Sequence, residues 1–277
     1  MSDRHITRCI RGTDTSDGAG VKLKRIIGQA GLDMLDPFLL LDEFRSDTAG
    51  DYIAGFPEHP HRGFETVTYM LAGHMQHQDN HGNRGDLTPG SVQWMTAGRG
   101  ILHSEMPQQE DGLMWGFQLW VNLPAKDKMI EPRYQDISPE RIPVVHPADG
   151  VEVRVIAGEL DGAIGPVEGI ATAPVYLDLS LQPGAKLALN LPAGHHGFAY
   201  VFAGESTLVG GEPLQRGELG VLSDGEQLQL TGGDKASRLL VVAGKPLRES
   251  VARYGPFVMN TQQEIHEAIA DFRAGKF

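Results

Sequence analysis

The chain has 277 residues, of which 40% are hydrophobic and 22% charged, enough to bury one large core or two smaller ones of about a hundred residues each. Its formal charge of -12 argues against a general phosphate-binding surface, because non-specific nucleic-acid affinity comes from basic side chains that release counterions. A single cysteine, Cys9, leaves no pair for an intrachain disulfide and no cysteine-rich zinc site, while 35 glycines and 17 prolines favour short strands and tight turns over long helices.

The opening MSDRHITRCIRG lacks the apolar run of an export signal, and no stretch reaches about 18 apolar residues, so a soluble cytoplasmic protein is expected. VKLKRIIG and DPFLLLDEF follow as short apolar stretches, with Phe38 to Leu41 as core and Asp42 and Glu43 as turn or supporting carboxylates. In GFPEHPHRGFE, His59 and His61 are one residue apart and project from one face of an extended strand. Pro60 between them cannot donate to a ladder, which places it at a strand start or an irregular edge. Thr66 to Met70 form a β-prone run that ends at Gly73, and HMQHQ returns as a hairpin on which His74, His77 and His81 are expected to face solvent.

After turns at Gly85-Asp86 and Pro89-Gly90 comes a strand with Val92, Trp94 and Met95. Gly98 and Gly100 then leave room for backbone near a second alternating pair, His103 and Glu105. If the two strands lie across a narrow barrel, four donors converge. Three imidazoles and a carboxylate suit Fe, Mn, Ni, Co, Cu or Zn, and donor identity does not choose among them. Arg62, Glu65 and Arg99 are close enough in sequence for supporting contacts. In LMWGFQLWVNLP and the strand before it, Trp94, Met114, Phe117 and Trp120 read as core rather than pocket.

The polar, proline-punctuated stretch 126–145 reads as a linker. Beyond it the strand grammar repeats. Aligning Tyr69 to Gly73 with Tyr200 to Gly204 puts Asn190 and Pro192 where His59 and His61 stand and His196 opposite Glu65, with no counterpart of His103. The second unit is therefore predicted to keep the fold without the metal, and His195 and His196 to be exposed or hydrogen-bonded. Thr261 and Glu264 form a capping box for a helix whose apolar face, Ile265, Ala268, Ile269 and Phe272, docks on a barrel before Gly275 ends it.

An ion held by His59, His61, His103 and Glu105 would keep one or two positions open, which separates a catalytic centre from a closed structural one. Glu105 is then a ligand or a base. The competing reading is a structural ion that braces the two strand segments.

DYIAGFPEHPHRGFETVTYMLAG, GDLTPGSVQWMTAGRGILHSEMP and GPFVMNTQQEIHEAIADF resemble the pirin family, in the bicupin branch of the cupins. The resemblance implies an all-β, two-domain bicupin: tandem β-sandwich or jelly-roll barrels with a C-terminal helix packed against them. It implies a metal-binding domain over 1–130, a linker over 131–145, and a second cupin domain over 146–277 that lacks a complete metal set and includes the closing helix. Its ligand set falls on His59, His61, His103 and Glu105, with Glu65 in support. The ion it implies is a single divalent one, iron(II) first, with Mn, Ni, Co, Cu or Zn as alternatives. The activity it implies is quercetin 2,3-dioxygenase, with Glu105 as the catalytic residue. The partners would be O2 and a planar polyhydroxylated aromatic such as a flavonol, with neither nucleic acid nor membrane. The alternative implied by other pirins is a metal-responsive regulatory protein that binds a protein partner without turnover.

Overall fold

The computed structural model describes residues 2–277, which are almost entirely β. They form two compact units. One comprises Thr13–Gly28, Phe38–Pro139 and Leu247–Phe277; the other comprises the segment ending at Gly12, Gln29–Pro37 and Glu140–Pro246. This grouping differs from a division at 131–145, since the opening segment joins the later half and the closing helix joins the earlier one. No helix among the described residues is long and apolar enough to cross a membrane.

In the first unit a seven-stranded antiparallel sheet runs Arg133–Ile137, Val92–Thr96, Phe64–Ala72, Met114–Asn122, Phe38–Ser46, Val21–Ile27, Thr13–Asp17. A four-stranded sheet runs Phe56–His61, Ile101–Pro107, Met75–Asp79, Arg84–Leu87. Phe64–Ala72 lies inside the larger sheet and is buried on both faces through Met70, so its apolar run is nearly continuous. Ile101–Pro107 alternates instead. Ile101, His103 and Glu105 are buried while Leu102 and Ser104 are not, the period-2 signature that turns both site residues inward. Arg133–Ile137, expected as linker, is an edge strand on Val92–Thr96. Pro132 and Pro139 stand outside it, where a proline interrupts no ladder bond.

The second unit repeats this order. Its seven-stranded sheet runs Val144–Val145, Val151–Ala157, Val175–Leu181, Ser237–Gly244, His196–Ala203, Glu218–Leu222, Ile6–Arg11. In the smaller sheet, Gln227–Gly232 pairs with Lys186–Asn190 as Ile101–Pro107 pairs with Phe56–His61. The edge position held by Arg133–Ile137 in the first unit is held here by Ile6–Arg11.

The closing helix spans Gln262–Arg273, and its capping box is formed as expected. The Glu264 amide donates to Thr261 Oγ1 at 3.2 Å and the Thr261 amide to Glu264 Oε2 at 2.8 Å. Ile265 and Ala268 pack against Ala252, Phe257 and Met259, which places the helix on the first unit. Gly275 follows with φ +66.

Candidate metal centre

His59 and His103 stand directly opposite each other across the antiparallel pair, and His61 lies two residues along the same strand, opposite Ile101. The three rings therefore cluster. Their centroids lie 4.5 Å (His59 to His103), 4.7 Å (His59 to His61) and 5.0 Å (His61 to His103) apart. One nitrogen from each falls within 4.8 Å of the others. A register shift between His103 and Glu105 brings Glu105 opposite Phe56 rather than in line with the histidines.

Gly63 anchors the loop after His61. Its φ is +87, and a Cβ there would run into the Val258 carbonyl. Gly98 and Gly100, expected to make room beside the metal pair, make room elsewhere: the close neighbours are the Ile130 carbonyl and the Phe277 ring.

The donors suit a metal ion. His59 Nδ1 lies 2.8 Å from the Pro57 carbonyl, which fixes the proton on that nitrogen and leaves Nε2 with its lone pair. That Nε2 is 3.0 Å from Nε2 of His61. Two nitrogens each about 2.1 Å from a shared ion and at right angles would stand about 3.0 Å apart. His103 is 1% exposed, yet neither of its ring nitrogens has a hydrogen-bond partner. An imidazole buried without partners is costly, and a coordinated cation removes that cost.

Burial also keeps His61 and His103 neutral, which is the ligating form. Desolvation, then the neighbouring His59 and the more distant His77, hold His103 down to about 4 against the opposing pull of Glu105. Desolvation and the other two site histidines hold His61 well below the usual imidazole range.

Glu105 is 1% exposed and lies outside the 4.8 Å histidine set. Its Oε1 accepts from Thr68 Oγ1 at 2.8 Å and its Oε2 from Gln118 Nε2 at 2.9 Å. Burial works against its charge, but His103 and His59, with the Gln118 and Thr68 hydrogen bonds, outweigh it and hold the carboxyl below the usual glutamate range. Glu65 behaves differently. It accepts from Thr96 Oγ1 at 2.7 Å, and burial pushes it up to about 7.

A cavity of about 590 Å³ opens over this cluster, within the range of small-molecule sites, which runs from about 300 to 1,000 Å³. His59, His61, Glu105 and Gln118 line its base, and Trp120, Phe56 and Leu40 form apolar wall. The four residues expected as core, Trp94, Met114, Phe117 and Trp120, are all buried, and Trp120 also borders the cavity, 5.3 Å from His61 in an edge contact. Asp42 and Glu43 are not turn residues. They lie within Phe38–Ser46, where Asp42 binds Arg25 and Glu43 accepts from Trp115 Nε1 at 2.8 Å.

Arg62 is buried rather than exposed, donating to the Arg99 carbonyl and to Asp271, while Arg99 itself pairs with Glu131. His77, expected on a solvent-facing hairpin, is 1% exposed. It alternates inward with Met75 and Asp79, stacks on Tyr134 at 5.0 Å and meets Asp136 Oδ2 at 3.3 Å. His74 does pair at the surface, with Asp86 at 3.0 Å, and His81 is exposed. His196 Nδ1 lies 2.8 Å from the Asp36 carbonyl, and His195 is half-buried.

Sequence reasoning missed Thr68, Gln118, Lys128 and Arg253. Gln118 had a signal, as the lone long polar side chain within the apolar run MWGFQLWV. Lys128 had none. Its ammonium is buried and donates to the Gly63 carbonyl, Asn122 Oδ1 and the Val258 carbonyl at 2.8, 2.8 and 3.0 Å, which ties the loop after His61 to the hairpin of Ala252–Tyr254 and Phe257–Met259.

Two antiparallel sandwiches in tandem, one holding a histidine cup on facing strands of its smaller sheet, define a bicupin. The sequence matches the Pirin family over residues 20–121 and the Pirin C-terminal cupin domain over residues 176–277. It is 51% identical, over 98% of this chain and 97% of the relative, to a Pseudomonas aeruginosa protein provisionally named a quercetin 2,3-dioxygenase. It is 45% identical to Homo sapiens pirin over 99% of this chain and 94% of that one. The crystal structure of quercetin 2,3-dioxygenase from Acinetobacter baumannii superimposes with a TM-score of 0.91 at 36% identity, covering 100% of this chain and 99% of that one. The chain belongs to the pirin family.

Proposed function

We propose that this pirin is a metal-dependent quercetin 2,3-dioxygenase, which opens the flavonol heterocycle with O2 and releases carbon monoxide. The observation that carries this reading is the three-histidine cup, two of whose members, His59 and His61, line a cavity large enough for a planar aromatic. The names of the Pseudomonas and Acinetobacter relatives agree with it. His59, His61 and His103 hold the ion, with Glu105 as the fourth ligand or, while it keeps its Thr68 and Gln118 hydrogen bonds, as the base. Iron(II) is the ion we favour, since O2 chemistry needs a redox-active centre; Mn, Ni, Co and Cu fit the donors, and so does redox-inert Zn. When bound, the ion would supply Lewis-acid and redox chemistry to the reaction of the flavonol with dioxygen.

The chain's own residues do the rest. Glu105, held ionised within a buried site, accepts the proton of the flavonol 3-hydroxyl. Gln118 orients that carboxylate through its amide. Trp120, Phe56 and Leu40 exclude water from one face of the ligand.

The test is to add quercetin anaerobically to iron-loaded protein and then admit oxygen. The flavonol absorption should shift on binding and be lost with oxygen, with carbon monoxide released. Metal-loaded protein that binds quercetin and releases no carbon monoxide would favour the regulatory, protein-binding reading instead.

A further inference from the structure

His61 is the last residue of Phe56–His61, and its partner Ile101 is the first of Ile101–Pro107, so this histidine stands where the ladder between the two strands ends. Ladder ends fray more readily than ladder centres. A ligand at such an end needs a further link beyond the ladder, and the next side chain supplies one. Arg62 is 4% exposed. Its Nε donates to the Arg99 carbonyl on the way into the opposite strand, and its Nη1 donates to Asp271 Oδ2 at 3.0 Å in the last turn of the closing helix. Its Cζ lies 4.3 Å from the Phe277 ring centroid.

Phe277 reaches the His103 side as well. Its ring fills the space that a Cβ on Gly100 would need, at 2.8 Å. Its main-chain oxygen accepts from Asn80 Nδ2 at 2.8 Å. Asn80 in turn bonds Leu102, the neighbour of His103, in both directions: the Leu102 amide donates to Asn80 Oδ1 at 3.1 Å, and the Asn80 amide donates to the Leu102 carbonyl at 3.0 Å. The segment 271–277 therefore holds both ligand-bearing strands, and Arg62 is where its contacts meet. A guanidinium donates from its edge in two directions while its face rests on a ring, and an ammonium has neither the fork nor the flat face.

We propose that Arg62, seated on Phe277 and paired with Asp271, is a positioning residue of the metal centre: it sets where the His61 imidazole stands relative to His103, and the closing helix acts on the ion through it. This rests on the metal-binding part of the reading above and is independent of the choice of substrate. Arg62 is not a ligand. Its effect is on the spacing of two ligands.

The experiment is titration of metal-free protein with cobalt(II), whose visible absorption reads both the affinity and the arrangement of donors around the ion. Arg62→Met is expected to bind cobalt about tenfold or more weakly than wild type, the loss typical of groups that orient a ligand from behind, and the absorption of its saturated site should shift. Arg62→Lys should recover only part of both. Asp271 is partly exposed, so Asp271→Asn keeps the test open should Arg62→Met fail to fold, and it should weaken binding in the same direction by a smaller factor. Lys276→Met removes the other partner of Asp271, bonded at 2.9 Å, and should leave affinity and absorption unchanged. Weaker binding with an unaltered absorption of the saturated site would mean that Arg62 merely stabilises the fold, and would overturn the assignment, as would wild-type affinity in Arg62→Met or, where that variant does not fold, in Asp271→Asn. Either result leaves the dioxygenase reading standing. Failure of the wild type to bind cobalt would overturn that reading and this assignment together.

Discussion

His59 and His103 face each other across the smaller sheet of one unit, and Leu189 and Leu228 face each other across the corresponding strand pair of the other. Continuing two residues along each strand, His61 and Glu105 are matched by Leu191 and Leu230. The four leucines are 1%, 0%, 3% and 1% exposed for Leu189, Leu228, Leu191 and Leu230, and belong to the apolar core of their unit. The same strand order thus encloses either a polar cup or a dry interior. Each leucine fully buried contributes about 2–3 kcal/mol, which the histidine-bearing unit forgoes at these positions. Its cup stands on other supports: Thr68 and Gln118 on Glu105 and the Pro57 carbonyl on His59, while the His103 nitrogens have no hydrogen-bond partner and are free to ligate an ion.

The largest test of this contrast is Leu228→His. An imidazole placed in the dry interior without a partner should lower stability by about 3–5 kcal/mol, read as an early denaturation transition. A loss below about 1 kcal/mol would mean that the interior tolerates polarity and that the leucines are not what separates the units.

Metal removal comes next. With the ion at about a thousand times its dissociation constant, chelation should withdraw about 4 kcal/mol from the histidine unit. Hydrogen exchange should then quicken in Phe56–His61 and Ile101–Pro107 and stay unchanged in Lys186–Asn190 and Gln227–Gly232. Equal quickening in both strand pairs would break the comparison.

The smallest effect concerns the second buried carboxyl of this unit, Glu65, which titrates in the opposite direction from Glu105. Burial raises Glu65 from 4.5 to about 7, so below 4.5 the folded and unfolded chains are both protonated there. Between these values the unfolded chain releases a proton that the folded one keeps, and stability falls as pH rises. Glu65→Gln should therefore be more stable than wild type at pH 8 by on the order of 2 kcal/mol and show no such gain near pH 4, measured by denaturant titration. A gain that persists at low pH would trace to packing instead.

The histidine cup was legible because strand alternation is written directly in H-x-H and H-x-E, and the helix because its cap and its apolar spacing are local. The internal alignment ran one residue out of register: strand pairing matches Leu189 and Leu191, not Asn190 and Pro192, to His59 and His61. A short Tyr-to-Gly match does not carry register through a loop of different length. Lys128 and Arg253 were illegible for another reason. Each acts on a segment far away in the chain, Lys128 on the Gly63 and Val258 carbonyls and Arg253 on Trp120, and no local pattern marks such a contact. His77 looked solvent-facing because its neighbours in sequence are polar, but its burial comes from Tyr134 on a strand that read as linker.

The pairing of Ile6–Arg11 with Glu218–Leu222 also bears on how the chain is made. During translation the first strand emerges about two hundred residues before its partner, a delay of roughly 10–40 s at about 5–20 residues per second. Arg133–Ile137, which fills the same edge of the other sheet, finds Val92–Thr96 already present. A nascent chain therefore carries one orphaned strand while the histidine-bearing sheets assemble behind it. Arg8 and Arg11 give that strand the charge that discourages pairing with a neighbouring polypeptide in the meantime.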